Sequence, residues 1–159
     1  MERRGNNKNC SGFYYLIHNT MNIKRIILLS VLLWIIGTVA RMLTCGWLFN
    51  WVYQIPPIIW KTSAEITQTG NMISSYVAGF IISVIFVTVF AWLYKGLPEK
   101  GVKKGIIYGF IVWLVGALSG MATLPFYMTI STTVVVYWIA HAFVMNIIYG
   151  AIVGAIYKK

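Results

Sequence analysis

Two ionisable side chains, Arg41 and His141, stand inside otherwise apolar runs of this chain. A group of that kind is expensive to keep among hydrocarbon, which makes each a candidate for function. Counted at ~1.5 Å per residue, Arg41 lies roughly 24 Å along its run from Arg25, and His141 roughly 25 Å from Lys158, so the two share a depth. Ser74, Ser75 and Tyr76 in a second run and Thr123 in a third fall slightly further out, and Glu65 is placed to close such a group from outside. The chemistry these residues suggest is recognition of a small anion or a lipid headgroup in an outward-facing chamber. The plainer reading is that Arg41 snorkels to headgroups and His141 hydrogen-bonds a neighbouring helix. Asn146, nearer the middle of its run, is read as helix glue rather than a ligand.

Catalytic chemistry is poorly provided for. The chain has no Asp, and its three Glu (Glu2, Glu65 and Glu99) are scattered among polar segments, so paired-carboxylate acid/base work and carboxylate-held Mg²⁺ have nowhere to form. Zinc needs clustered Cys and His, whereas Cys10 and His18 precede the first apolar run and Cys45 and His141 lie at the far side of theirs. Haem held by two His fails for the same reason. Gly116-Ala117-Leu118-Ser119-Gly120 lacks the central Ser of a nucleophile elbow. No C-x-x-C is present, and Cys10 and Cys45 cannot pair across a membrane. No metal and no cofactor is expected.

The elements that position these residues follow from composition. With 59% hydrophobic and 10% charged residues, a 159-residue chain has more apolar surface than a soluble core of this size can hide. The net charge of +10 does not mark nucleic-acid binding, because the basic residues flank apolar runs instead of sharing one face. The runs predict four transmembrane helices, over residues 26–46, 73–94, 105–124 and 133–157, each near the ~20 residues a crossing needs. Expected is an all-α integral membrane four-helix bundle. Residues 1–20 are expected to form a polar, disordered extension to a transmembrane domain of residues 21–159, with Met21 as an alternative start.

Lys and Arg in short loops are retained on the cytoplasmic side. Arg3, Arg4, Lys8, Lys24 and Arg25 precede the first run, Lys95, Lys100, Lys103 and Lys104 separate the second from the third, and Lys158-Lys159 close the chain. Only Arg41 and Lys61 remain for the other side, so both termini are expected in the cytoplasm. The basic rim should also attract anionic headgroups at that face. Met42-Leu43-Thr44 before Cys45 lacks the small residues of a signal-cleavage site, so the first run is retained as a span. Between the first two runs, the aromatic stretch from Trp47 to Lys61, broken by Pro56-Pro57, is expected to lie in the outer interface and cap the bundle. Thr62-Ser63-Ala64-Glu65 reads as a capping box that starts a short helix ending at Gly70.

Small residues at four-residue spacing mark helix contact faces. Helix 2 carries Ser75, Gly79 and Ser83, helix 3 carries Gly105, Gly109, Gly116 and Gly120, and helix 4 carries Asn146, Gly150 and Gly154. Packing within the bundle is the first expectation, with self-association or a larger membrane complex as the alternative. The sequence Ile-Ile-Tyr-Gly occurs at 106–109 and again at 147–150. The two copies run in opposite directions through the membrane, so they reflect like packing demands and not an internal repeat.

The runs GLPEKGVKKGIIYGFIVWLVGALSGM and YWIAHAFVMNIIYGAIVGAIYKK resemble the C-terminal half of small four-helix prokaryotic integral membrane proteins of unknown function. That resemblance implies a prokaryotic inner-membrane protein and carries no catalytic residues with it. Two functional classes result. One is a small transporter, channel-like protein or accessory membrane subunit; the other is a membrane-embedded enzyme or binding protein for a lipid or quinone that uses His141.

Overall fold

Hydrocarbon offers no partner to a backbone N–H or C=O, so a long apolar run is stable there when it closes its own hydrogen bonds as a helix. The computed structural model describes residues 23–157, and every long element in it is helical. Four helical segments are long and apolar enough to cross a membrane: Ile23–Leu48, Thr69–Leu93, Gly101–Tyr127 and Thr132–Ile156, here called the first to fourth spans. The extension 1–20, with Cys10 and His18, and the closing Lys158-Lys159 lie outside the described residues.

The second and third spans each begin four residues before their apolar runs. Helix propagation adds one backbone bond per residue, so a helix continues past the apolar pattern until a turn residue stops it. Within the first span, α1 (Ile23–Leu43) widens into a π-helical turn at Thr44–Leu48. A short 3₁₀ turn, Asn50–Gln54, follows, then α2 (Ser63–Ile66). The second span is one helix, α3 (Thr69–Leu93). The third comprises α4 (Gly101–Val112), a π-helical stretch Trp113–Leu118, α5 (Ser119–Met121) and α6 (Leu124–Tyr127). The fourth is α7 (Thr132–Ile156).

The spans associate as two antiparallel pairs, first with second and third with fourth. In the second pair the backbones touch. A Cβ added at Gly105 would collide with the carbonyl oxygen of Gly150, one at Gly150 with that of Gly105, and one at Gly109 with that of Asn146. At Gly154 the obstacle is the Gly101 oxygen at 2.6 Å. The doubled Ile-Ile-Tyr-Gly thereby has a physical meaning: the two copies are the facing halves of one crossing. Asn146 itself turns its Nδ2–H back to Ala142 O within its own helix, at 2.8 Å, and its backbone oxygen is the part that meets Gly109. Gly116 and Gly120 lie along the same helix with open space where a side chain would stand, so the packing stripe expected over all four glycines of helix 3 stops at Gly109.

One end of the bundle is closed by rings. Leu29 and Leu33 of α1, Phe86 and Phe90 of α3, Tyr108 of α4 and Val153 of α7 form one buried cluster with Tyr157. Tyr108 is buried edge-on between Phe86 and Phe90, with centroids 4.9 and 5.1 Å away, and its hydroxyl donates to Phe86 O at 2.8 Å. The turn between the second and third spans belongs to this end, where the buried Lys104 donates to Tyr94 O at 2.7 Å with its ammonium 4.3 Å from the Tyr94 ring centre. Gly101 enters α4 at a φ of 58°, a conformation open to glycine.

The opposite end is assembled differently. Val52 of the 3₁₀ turn is buried with Ile130, Val134 and Val135, and Trp60 packs against the same group. The aromatic stretch after the first span therefore folds over the start of the fourth.

Candidate functional site

A cleft of about 400 Å³ opens between the first and second spans at this second end. Its mouth is formed by Lys61, Thr67 and Asn71, and its depth by Arg41, Tyr76 and Gly79, with Trp34 and Thr38 on the wall of α1. Side chains of the first span pack over Gly79 at ordinary contact distance. The position where its Cβ would stand is 3.6 Å from Trp34 Cδ1 and 3.8 Å from a guanidinium nitrogen of Arg41, so both side chains lie across the bare backbone of α3. Trp34 is fixed there by its indole N–H, which donates to Tyr76 O at 3.0 Å, and by edge contacts with the rings of Tyr76 and Phe80.

The Arg41 guanidinium thus reaches across to the second span. Gly79 is ten residues from the start of α3, roughly 15 Å along the axis, and about 21 Å from its other end. A cation at that level, turned toward a cleft, is the arrangement the plainer snorkelling reading does not anticipate. Neither carboxylate among the described residues serves it. Glu65 accepts from the backbone N–H and the hydroxyl of Thr62, both at 2.8 Å, and Glu99 lies in the turn at the opposite end of the bundle. The cleft holds two cations, Arg41 and Lys61, and no acid among its lining residues.

Glu65 performs the capping the sequence predicts. Thr62 Oγ1 accepts from Glu65 N at 3.4 Å while the carboxylate reaches back, and α2 begins at Ser63. The hydroxyl of Thr62, and after it the Thr62 N–H, hold the Glu65 carboxyl below its ordinary pKa. The short helix ends at Ile66 instead of Gly70, because α3 has already begun at Thr69 and takes Gly70 into its first turn. Glu65 does not line the cleft, and Asn71 Nδ2–H donates to its backbone oxygen at 2.7 Å, tying α2 to the start of α3.

His141 belongs to a different cluster, on the side of the first span that faces the fourth. Its Nε2 is 3.0 Å from Thr44 Oγ1. Thr44 has one hydroxyl proton and donates it to Ala40 O at 2.7 Å, so the bond to His141 is completed by an Nε2–H donating to the threonine oxygen. Cys45, beside it, accepts from the Tyr53 hydroxyl at 3.3 Å and lies 3.8 Å from Tyr137 Oη, and Tyr53 in turn accepts from the Trp138 indole at 3.2 Å. Burial, with the bond to Cys45, pushes the Tyr53 phenol above its ordinary pKa, so it remains a donor. The cluster fastens the end of the first span and the aromatic stretch that follows it to α7.

Of the residues the sequence offers for a shared chamber, Arg41, Ser75 and Tyr76 meet in the cleft, joined by Gly79 from the packing stripe, while Ser74 does not line it. His141, Glu65 and Thr123 are not among its lining residues; Thr123 is exposed at the end of the third span. Lys61, Asn71 and Trp34 are among the lining residues that sequence reasoning passed over. Lys61 had a signal, as the other basic residue on the less basic side, and Trp34 had none within a run of apolar neighbours. Compared with known protein families, with curated proteins and with solved structures, the chain finds no match in any of the three.

Proposed function

We propose that the chain is a multi-pass protein of a prokaryotic cytoplasmic membrane, both termini inside, that binds an anionic group in the outward-opening cleft and serves as a small transporter or accessory membrane subunit. Support for the orientation is the gathering of basic residues. The start of α1 with Lys24 and Arg25, the turn carrying Lys95 and Lys100, and Tyr157 just before the closing lysines all belong to the ring-closed end, and loop cations are retained on the cytoplasmic face. Anionic lipid headgroups are the natural neighbours of that rim.

The observation that carries the function is Arg41, a guanidinium laid across Gly79 with no acid lining its cleft. A cation inside an apolar span whose cleft is lined by no acid is suited to pair with a ligand, and bidentate geometry makes Arg apt for phosphate or carboxylate. Leu33, Phe86 and Tyr108 are buried in the ring cluster, and none of them lines the cleft. The enzyme reading is the weaker one: the hydrogen of Thr44 is committed to Ala40 O, which leaves His141 donating, and the histidine holds two spans together.

The test is thermal unfolding of the purified protein in dodecyl maltoside, titrated with inorganic phosphate. Wild type is expected to gain stability saturably at millimolar anion, and Arg41→Gln to lose the response, as removing one charge-assisted partner weakens binding by about ten- to a hundredfold. Equal responses from the two proteins would remove the cleft as an anion site. Reporter fusions after Lys100 and Lys159 that fall on opposite faces would remove the orientation.

A further inference from the structure

The cleft is not walled off from the surrounding hydrocarbon. A second hollow, of about 320 Å³, runs along the outside of α1 between Ile35, Val39 and Tyr76, and it shares Trp34, Thr38 and Tyr76 with the cleft. Ile35, Val39 and Tyr76 are each 40–50% exposed, so this hollow faces outward from the bundle. The two spaces thus meet at the Trp34–Tyr76 junction, one carrying two cations and the other lined by aliphatic and aromatic carbon, the Thr38 hydroxyl being turned to Trp34 O at 2.8 Å. Each falls within the range of small-molecule sites, and their chemistries divide as a head and a tail would.

We infer that the occupant of the cleft is an anionic phospholipid of the outer leaflet, its phosphate held by Arg41 and Lys61 and one acyl chain laid in the groove of Ile35 and Val39. This rests on the anion reading of the cleft and adds the source of the anion. Charge complementarity selects an acidic head, since the cleft lines no carboxylate that would receive a choline or amine. Continuity with the groove selects a ligand that arrives sideways from the membrane. A free anion would leave the groove unused, and an uncharged lipid would leave Arg41 unpaired.

The experiment compares three probes on the full-length protein in dodecyl maltoside: dimyristoyl phosphatidylglycerol, dimyristoyl phosphatidylcholine and inorganic phosphate, with thermal stability as the readout. Phosphatidylglycerol is expected to act at a concentration at least about tenfold below inorganic phosphate, because chain burial adds to the pairing of the head, while phosphatidylcholine gives no saturable shift. Arg41→Gln should abolish the phosphatidylglycerol response and Arg41→Lys retain part of it, with circular dichroism confirming that both variants fold. Val39→Trp, which fills the exposed groove without touching either cation, should weaken phosphatidylglycerol by about tenfold and leave the phosphate response as in wild type. If phosphate matches phosphatidylglycerol, or Val39→Trp weakens neither, the lipid assignment is overturned while the anion site stands. If Arg41→Gln changes no response at all, both fall.

Discussion

The two helix pairs of this protein solve the same problem in opposite ways. The third and fourth spans cross with backbone on backbone at Gly105, Gly109, Gly150 and Gly154, whereas the first and second are held apart by Trp34 and Arg41 laid across Gly79. In lipid there is no hydrophobic drive to bring helices together, so close packing of this kind supplies the adhesion. The glycine crossing makes one pair solid. The other pair uses a glycine to make room for side chains, and what results is a space lined by cations. A small residue on a transmembrane helix therefore does not say whether it closes a contact or opens a cavity; what lies opposite decides.

The same substitution placed in each pair tests that contrast. Gly105→Leu puts carbon into the carbonyl of Gly150, where neither backbone can move without separating the helices, and should cost about 3 kcal/mol in reversible unfolding from mixed micelles with dodecyl sulfate. Gly116→Leu on the same helix meets open space and is expected to stay within about 0.5 kcal/mol of wild type. Comparable losses at the two positions would show that the crossing is not where the pair is held. Gly79→Leu should fall between them, at about 1 kcal/mol, because its first neighbours are side chains at ordinary contact distance. It should nevertheless displace Arg41 and erase the phosphate response, so that the fold survives and the site does not.

Much of this architecture is legible in the residues. The four apolar runs match the four long helices, the second and fourth overrunning theirs by one residue, since length and hydropathy alone demand them. The capping box at Thr62 is local chemistry and is readable for that reason. Along the chain, Thr44, which bonds His141, is three residues beyond Arg41. What the sequence does not contain is the rotation of each helix about its axis. All four spans are apolar on every side, so no periodic stripe says which neighbour each of Arg41 and His141 meets: Arg41 lines a cleft with the second span, and His141 bonds Thr44. The π-helical turn at Thr44–Leu48 adds to the difficulty, because it shifts the register of Thr44 and Cys45 relative to the helix below them.

A smaller effect bears on how the ring-closed end joins the two pairs. Tyr108 belongs to the tight pair, yet its hydroxyl donates to Phe86 O of the loose one, at 2.8 Å in a fully buried setting. Phe86 O is a helical carbonyl with its own bond along α3, so removing the phenol oxygen leaves no orphaned acceptor. Tyr108→Phe should then cost about 1 kcal/mol and leave anion binding unchanged, as judged by the same unfolding and titration measurements. A loss of binding would mean that the two ends are coupled and that the pairs do not act independently.

The smallest expected effect concerns the rim of the cleft and separates capping from closure as the task of Glu65. Its carboxyl is held below the ordinary value first by the Thr62 hydroxyl, then by the Thr62 N–H, with Lys61 a lesser cause. A depressed folded-state pKa stabilises the cap at pH values above the unfolded pKa, and that support is lost as pH falls through the folded one. Thr62→Ala should therefore move the Glu65 titration upward, measured by the side-chain carboxyl resonance of ¹³C-labelled protein in micelles, and loosen the short helix Ser63–Ile66. Arg41→Gln should leave the same titration where it is, because Glu65 faces Thr62 and lies outside the cleft. A shift in the Arg41 variant would place the carboxylate within reach of the guanidinium in solution. The loose pair would then carry an acid that competes with the ligand for its deepest cation.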